Sequence, residues 1–180
     1  WSNNWNKGFD VYKKFDELLN INYFNENFEF NFIGRLPENF SFKNVNVIEP
    51  KQGIDLSNEL KKNHFYITGT INEPSGNHHI EAAQCGLPIM FIDSGGVKEY
   101  CNGFGIEFTL ENLEEKINEA SDDFFKHSEN ILNYDKSSEK MCKEFLEYFE
   151  YLLKNKDDLI SKRKNKKKSL IKYLYFNFKN

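Results

Sequence analysis

Two hydrophobic periods alternate along this chain. Phe9 to Leu19 carries apolar residues at 9, 11, 12, 15, 18 and 19, the spacing of one helix face. Phe28 to Ile33 (FEFNFI) instead alternates apolar and polar, as a half-buried strand does, and stops at Gly34. Val45 to Ile48 predicts a second strand, Ile54 to Lys62 a short helix, and the aromatic, β-branched Phe65-Tyr66-Ile67-Thr68 a third strand. His78 to Cys85 predicts another helix, with Asn77 as its N-cap and Gly86 just past its end. Pro88 prevents its continuation, and Ile89 to Ile92 suits a buried strand. Trp1 to Gly8 and Ser94-Gly95-Gly96 read as loops.

Strands and helices thus alternate through Phe108, which predicts an α/β layer: a mainly parallel sheet with helices on both faces. Ligands of such sheets sit beyond the carboxyl ends of the strands. The loops that follow strands, at Gly34, Glu49–Gly53, Gly69–Asn77 and Ser94–Gly96, are therefore expected on one edge. Beyond Thr109 only helical periodicity remains, over Leu113–Phe125 and Ser138–Leu153, where Met141, Phe145, Phe149 and Leu152 form a stripe expected to dock on the core. The expected division is an α/β domain over 1–108, a helical extension over 109–153 and a basic, aromatic tail over 154–180.

Composition narrows the class. With 39% hydrophobic and 29% charged residues, the 180-residue chain is of globular type, and no apolar run approaches the roughly 20 residues of a membrane helix. Three separated cysteines, Cys85, Cys101 and Cys142, form neither a disulfide framework nor a CxxC zinc pair, so a cytoplasmic setting is expected. The net charge of -4 conceals a contrast: ten Lys/Arg face two Asp between Lys154 and Asn180, so the tail is basic and the body acidic. The run KRKNKKK (162–168) followed by SLIKYLYFNF is compatible with peripheral contact to an anionic membrane. No motif that reads nucleic acid accompanies it, so nucleic acid is not expected as a partner.

The chemistry concentrates between Thr70 and Tyr100. A carboxylate accepts two hydrogen bonds at once and so pairs with vicinal hydroxyls. A helix N-terminus offers unpaired N–H groups and partial positive charge to a phosphate, and glycine lets a backbone come close. Glu73 and Glu81 supply the carboxylates, Asn77-His78-His79 the helix start, and Gly76, Gly95 and Gly96 the glycines. Together they suit a nucleotide diphosphate bearing further hydroxyls, such as a nucleotide sugar. Each acid alone could be an ordinary surface residue. His78 and Glu81 share a helix face but are too few for a metal site.

Glu73 and Glu81 with seven residues between them, followed by AAQCGLP, an apolar strand and SGGVKE, resemble the donor-binding domain of retaining GT-B glycosyltransferases with the E-x7-E motif, the group 1 or family 4-like set. The upstream NNWNKGFD (3–10) resembles that family's loop after the domain's first strand. The resemblance covers about Trp1 to Phe108 and implies a Rossmann-like half of a GT-B fold. By position it implies that Glu73 contacts the transferred sugar and Glu81 holds the ribose. Gly76, Asn77 and His78 would line the diphosphate and sugar, with Gly95 and Gly96 also at the donor, while Lys7 neutralises the leaving diphosphate. Neither a metal nor another cofactor is implied beyond the donor substrate, and the acceptor would be a glycan, lipid or protein.

Two departures qualify the resemblance. Many relatives carry an arginine shortly before the lysine, where this chain has Trp1-Ser2-Asn3. A GT-B enzyme also needs a second Rossmann-like domain for the acceptor, and the first strand of the present one is expected to precede Trp1. The 180 residues alone are therefore expected to bind donor poorly and transfer nothing. Two alternatives stay open: a sugar-nucleotide epimerase of similar fold, and an inert nucleotide-sugar-binding module. A dinucleotide-binding dehydrogenase is disfavoured, since no G-x-G-x-x-G follows a strand.

Overall fold

The computed structural model describes residues 3–164, so most of the basic run at 162–168 and all of the aromatic segment after it lie outside the described residues. The expected opening loop contains a short 3-10 turn, Trp5–Lys7, that ends on Gly8. Gly8 has a φ of +101°, and a Cβ there would lie 2.8 Å from the backbone of Gly69. Only glycine combines that conformation with that approach. It caps α1 (Phe9–Leu18), whose inner face buries Phe9, Val11, Tyr12, Phe15 and Leu18 as the periodicity predicts.

A helix that the sequence did not reveal follows, α2 (Asn22–Asn27), anchored by buried Phe24. Then come β1 (Asn31–Ile33), β2 (Asn46–Ile48), α3 (Gly53–Leu60), β3 (Tyr66–Thr68), α4 (Asn77–Gln84), β4 (Ile89–Phe91), α5 (Val97–Cys101) and β5 (Gly105–Glu107). All strand pairings are parallel, in two small sheets: β1 with β2, and β3-β4-β5. Ile67 stands opposite Met90, and Met90 opposite Ile106.

Successive residues of β4 serve opposite faces. Met90 joins the core formed with α1, α2 and α6 (Leu113–Asp122). Ile89 and Phe91 join the core formed with α4, α5 and α7 (Phe124–Ile131). A third cluster sets Leu56 and Leu60 of α3 against Leu87. Helices therefore cover both faces of parallel strands, as the alternating pattern implied. The single helix expected over 113–125 is two, divided at Asp123, and the second buries Ile131.

One compact unit ends at Asp135 and a second begins at Lys136. Within the second, α8 (Ser138–Lys154) is capped by Ser137, whose hydroxyl accepts from the Lys140 amide at 3.2 Å. The rings of Phe145 and Phe149 stack along it, with centroids 6.2 Å apart. No helix among the described residues is long and apolar enough to cross a membrane.

Candidate functional site

The loop after β3 carries Glu73, and three contacts hold it. The Ile71 amide donates to the Asn6 carbonyl at 2.8 Å, joining this loop to the Trp5–Lys7 turn. The Asn72 amide donates to Ser94 Oγ at 2.8 Å, and the Gly96 amide to the Glu73 carbonyl at 2.8 Å. Gly95 has a φ of +64°, and a Cβ there would collide with the Glu73 carbonyl; one on Gly96 would collide with that of Pro74. The close approach made by these two glycines is thus to the Glu73-Pro74 backbone.

The same stitching brings Lys7 to Glu73, whose side chains form an ion pair across 66 residues of sequence. The Glu73 side chain is 12% exposed, and the hydrogen bond from Lys7 is the main cause that holds its carboxyl below the usual carboxylate range. Glu73 is accordingly a carboxylate at neutral pH.

Helix α4 begins one residue earlier than expected. Gly76, at φ -86° and ψ 133°, is its N-cap, and Asn77 is its first residue. The cap has no side-chain hydrogen bond, because glycine offers none. A Cβ at Gly76 would sit 2.7 Å from His78 Nε2 and 3.0 Å from Glu73 Cγ, so this position needs a small residue. Glu81 lies exposed one turn along the helix from Asn77.

The two histidines part company at the helix start. His78 Nδ1 shares a 3.0 Å hydrogen bond with the Tyr66 hydroxyl, while its Nε2 is buried without a partner. Burial, with a smaller contribution from His79, pushes its pKa down to about 4. His79 is fully buried, its ring 5.4 Å from that of Tyr100, and neither nitrogen has a partner. Burial lowers its pKa as well, so both rings are neutral at pH 7.

A cleft of about 1160 Å³ opens beside these residues, and Lys7, Asn77, His78 and Glu81 are among those that line it. Glu73, Gly76, Gly95 and Gly96 are not. Polar groups that sequence reasoning missed also line it, Arg35 and Thr70 among them. Arg35 follows the glycine that ends β1, a strand-end signal that marked the loop but was not extended to its cation. Thr70 is buried, 3.1 Å from Thr68 through their hydroxyls. Among the described residues, no three His, Cys, Asp or Glu side chains cluster as a metal site requires.

Lys7 paired with Glu73 at an uncapped helix start one turn from Glu81 offers groups that can bind an anion that also bears hydroxyls. No protein-family model matches the sequence. No curated protein matches it either. Among solved structures, the chain is similar to the pneumococcal O-GlcNAc transferase GtfA, crystallised in complex with UDP and GlcNAc, with a TM-score of 0.60 and 14% identity. The match covers 83% of this chain and 34% of that one, so this chain spans about a third of that protein's length. At that identity the likeness shows a shared fold. The α/β architecture of parallel strands flanked by helices is that of a Rossmann-like half of a GT-B glycosyltransferase fold.

Proposed function

We propose that this chain is the donor-binding part of a retaining GT-B glycosyltransferase of the E-x7-E group, one that takes a nucleotide-diphosphate sugar. The observation that carries the reading is the Lys7–Glu73 ion pair, held at the uncapped start of α4 one turn from Glu81. Composition alone would not bring a cation from residue 7 to the acid at 73.

In the proposed reaction the bond between sugar C1 and the diphosphate oxygen breaks. A bond from C1 to an acceptor oxygen forms on the same face of the sugar. Negative charge grows on the leaving diphosphate, where the Lys7 ammonium and the α4 amides stabilise it. Arg35, which lines the same cleft as Lys7, is the candidate second positive charge in place of an arginine shortly before Lys7. Glu73, kept ionised by Lys7, accepts hydrogen bonds from sugar hydroxyls; Glu81 does the same for the ribose. Neutral His78 lines the sugar side. The groups that select and activate the acceptor belong to a second domain of the whole enzyme.

The experiment is a set of nucleotide-sugar titrations against wild type, Glu81→Ala, Glu73→Ala and Lys7→Ala. Glu81→Ala should weaken both free nucleoside diphosphate and nucleotide sugar. Glu73→Ala should weaken the sugar nucleotide and spare the free diphosphate. Equal affinities throughout for UDP-sugar and GDP-sugar would reject the assignment.

A further inference from the structure

We propose that α8 is a self-association surface: its apolar face pairs with the same face on a second copy of this chain, giving a symmetric dimer. The inference rests on this one helix and does not depend on the reading of the donor site.

The helix is well built by itself. Ser137 caps it, Glu139 lies in its first turn and Lys154 in its last, each at the end where the helix dipole favours that charge. At 100° per residue, Met141, Phe145, Leu146, Tyr148, Phe149 and Leu153 fall on one arc of about 160°. Every Glu and Lys of the helix falls on the other arc. Ring stacking orders the aromatic side chains in advance of any contact, Phe145 on Phe149 and Tyr148 on Tyr151, the latter with centroids 6.3 Å apart. Yet α8 buries none of its side chains, so the stripe expected to dock on the core faces outward. The six apolar residues of the arc are 51% to 75% exposed.

The size of the face is that of an interface. A contiguous exposed apolar patch of more than a few hundred Å² is rare on a monomer and marks an interaction site. At about 200 Å² of surface per residue, six residues more than half exposed present roughly 700 Å². Two such faces together bury about 1,400 Å², within the range of roughly 1,200–2,000 Å² that stable, specific interfaces occupy.

The spacing selects a helix as the partner. Met141, Phe145, Tyr148 and Leu152 follow one another at intervals of four, three and four, the period of the seam that one helix offers another. A second copy supplies such a helix with the same seam, and a twofold interface needs only one self-complementary patch. Four Glu against three Lys leave α8 close to neutral, so two copies do not repel each other. The same balance argues against a lipid surface, because a helix lying on an anionic membrane carries an excess of Lys and Arg on its polar face.

The test is sedimentation equilibrium of the 180-residue chain from micromolar to submillimolar concentration. Wild type is compared with Phe145→Glu/Phe149→Glu and with Glu147→Lys on the opposite arc. Wild type should rise to twice the mass of one chain, and Glu147→Lys should follow it. The double substitution should raise the dissociation constant at least a hundredfold. Both phenylalanines are exposed, so the double variant should keep the near-UV circular dichroism of dilute wild type. Leu153→Lys, a milder change at the edge of the arc, should weaken the dimer in the same direction. Wild type that keeps the mass of one chain at every concentration would overturn the proposal, and so would a double variant that dimerises as strongly as wild type. Sedimentation with phosphatidylserine vesicles that the double substitution abolishes, while wild type in solution stays monomeric, would assign the face to lipid and overturn it too.

Discussion

His78, half-buried at the start of α4, makes the folded protein sensitive to acid. His78 has a pKa of about 4 in the folded state, against 6.5 for a free imidazole, chiefly because burial disfavours the charged ring. Between those two values the unfolded chain binds a proton at this position that the folded chain does not. Stability therefore rises with pH across the window from about 4 to 6.5 and is level, for this group, above it. At about 1.4 kcal/mol per pH unit, the difference amounts to about 3 kcal/mol lost on descending through the window. His79 has a lowered pKa too and acts in the same direction. Replacing His78 by Gln keeps a polar side chain but removes the titration, so His78→Gln should have a flatter stability profile over this window. Urea unfolding at pH 4, 5, 6 and 7, for wild type and variant, measures the difference. Imidazole carbon shifts by NMR give the pKa directly. A variant profile parallel to that of wild type, or a His78 titration near 6.5, would refute the reasoning.

Other substitutions probe the scaffold. Gly95→Ala places a methyl against the Glu73 carbonyl at a φ of +64° and should cost about 2–4 kcal/mol; thermal unfolding reads the loss, and nucleotide-sugar titration should show weakened binding because Glu73 moves. Asp16 is buried and accepts from the Lys43 and Asn44 amides at 2.7–3.1 Å. Asp16→Ala leaves those donors without their acceptor and should cost about 1–3 kcal/mol by urea unfolding. Ile131→Ala should cost about 2–4 kcal/mol if α7 is anchored through this residue, which is 2% exposed.

Much of the fold was legible because short periods survive in short elements. The Phe9–Leu19 helix and the strands at 66–68 and 89–91 fell where the pattern put them. Asn22–Asn27 did not announce itself, because three asparagines in six residues are weak helix formers and the single anchor, Phe24, acts through tertiary packing. The break at Asp123 was hidden for a related reason: apolar Phe124 and Phe125, just past it, continue the helical period of the residues before it. Glu73 and Glu81 were picked out as candidates by spacing and flanking glycines, and Lys7 by the resemblance of its loop. Their arrangement was not readable. That Gly95 and Gly96 pack on the Glu73-Pro74 backbone, and that His79 is buried with no hydrogen-bond partner, depends on which loops meet in space. Arg35 entered only through the cleft, since its neighbours in sequence carry no motif.

In the proposed reading Lys7, Glu73 and Glu81 form one donor site, so each contributes to donor affinity. Saturation-transfer NMR, which registers weak ligands, tests it most directly with UDP-sugar and GDP-sugar offered to wild type, Glu81→Ala and Lys7→Ala. One of the two donors should give ribose and sugar signals with wild type, and each substitution should lower its affinity at least tenfold, about 1.4 kcal/mol. Signals of equal strength from all three proteins, or none from wild type with either donor at millimolar concentration, would contradict the account.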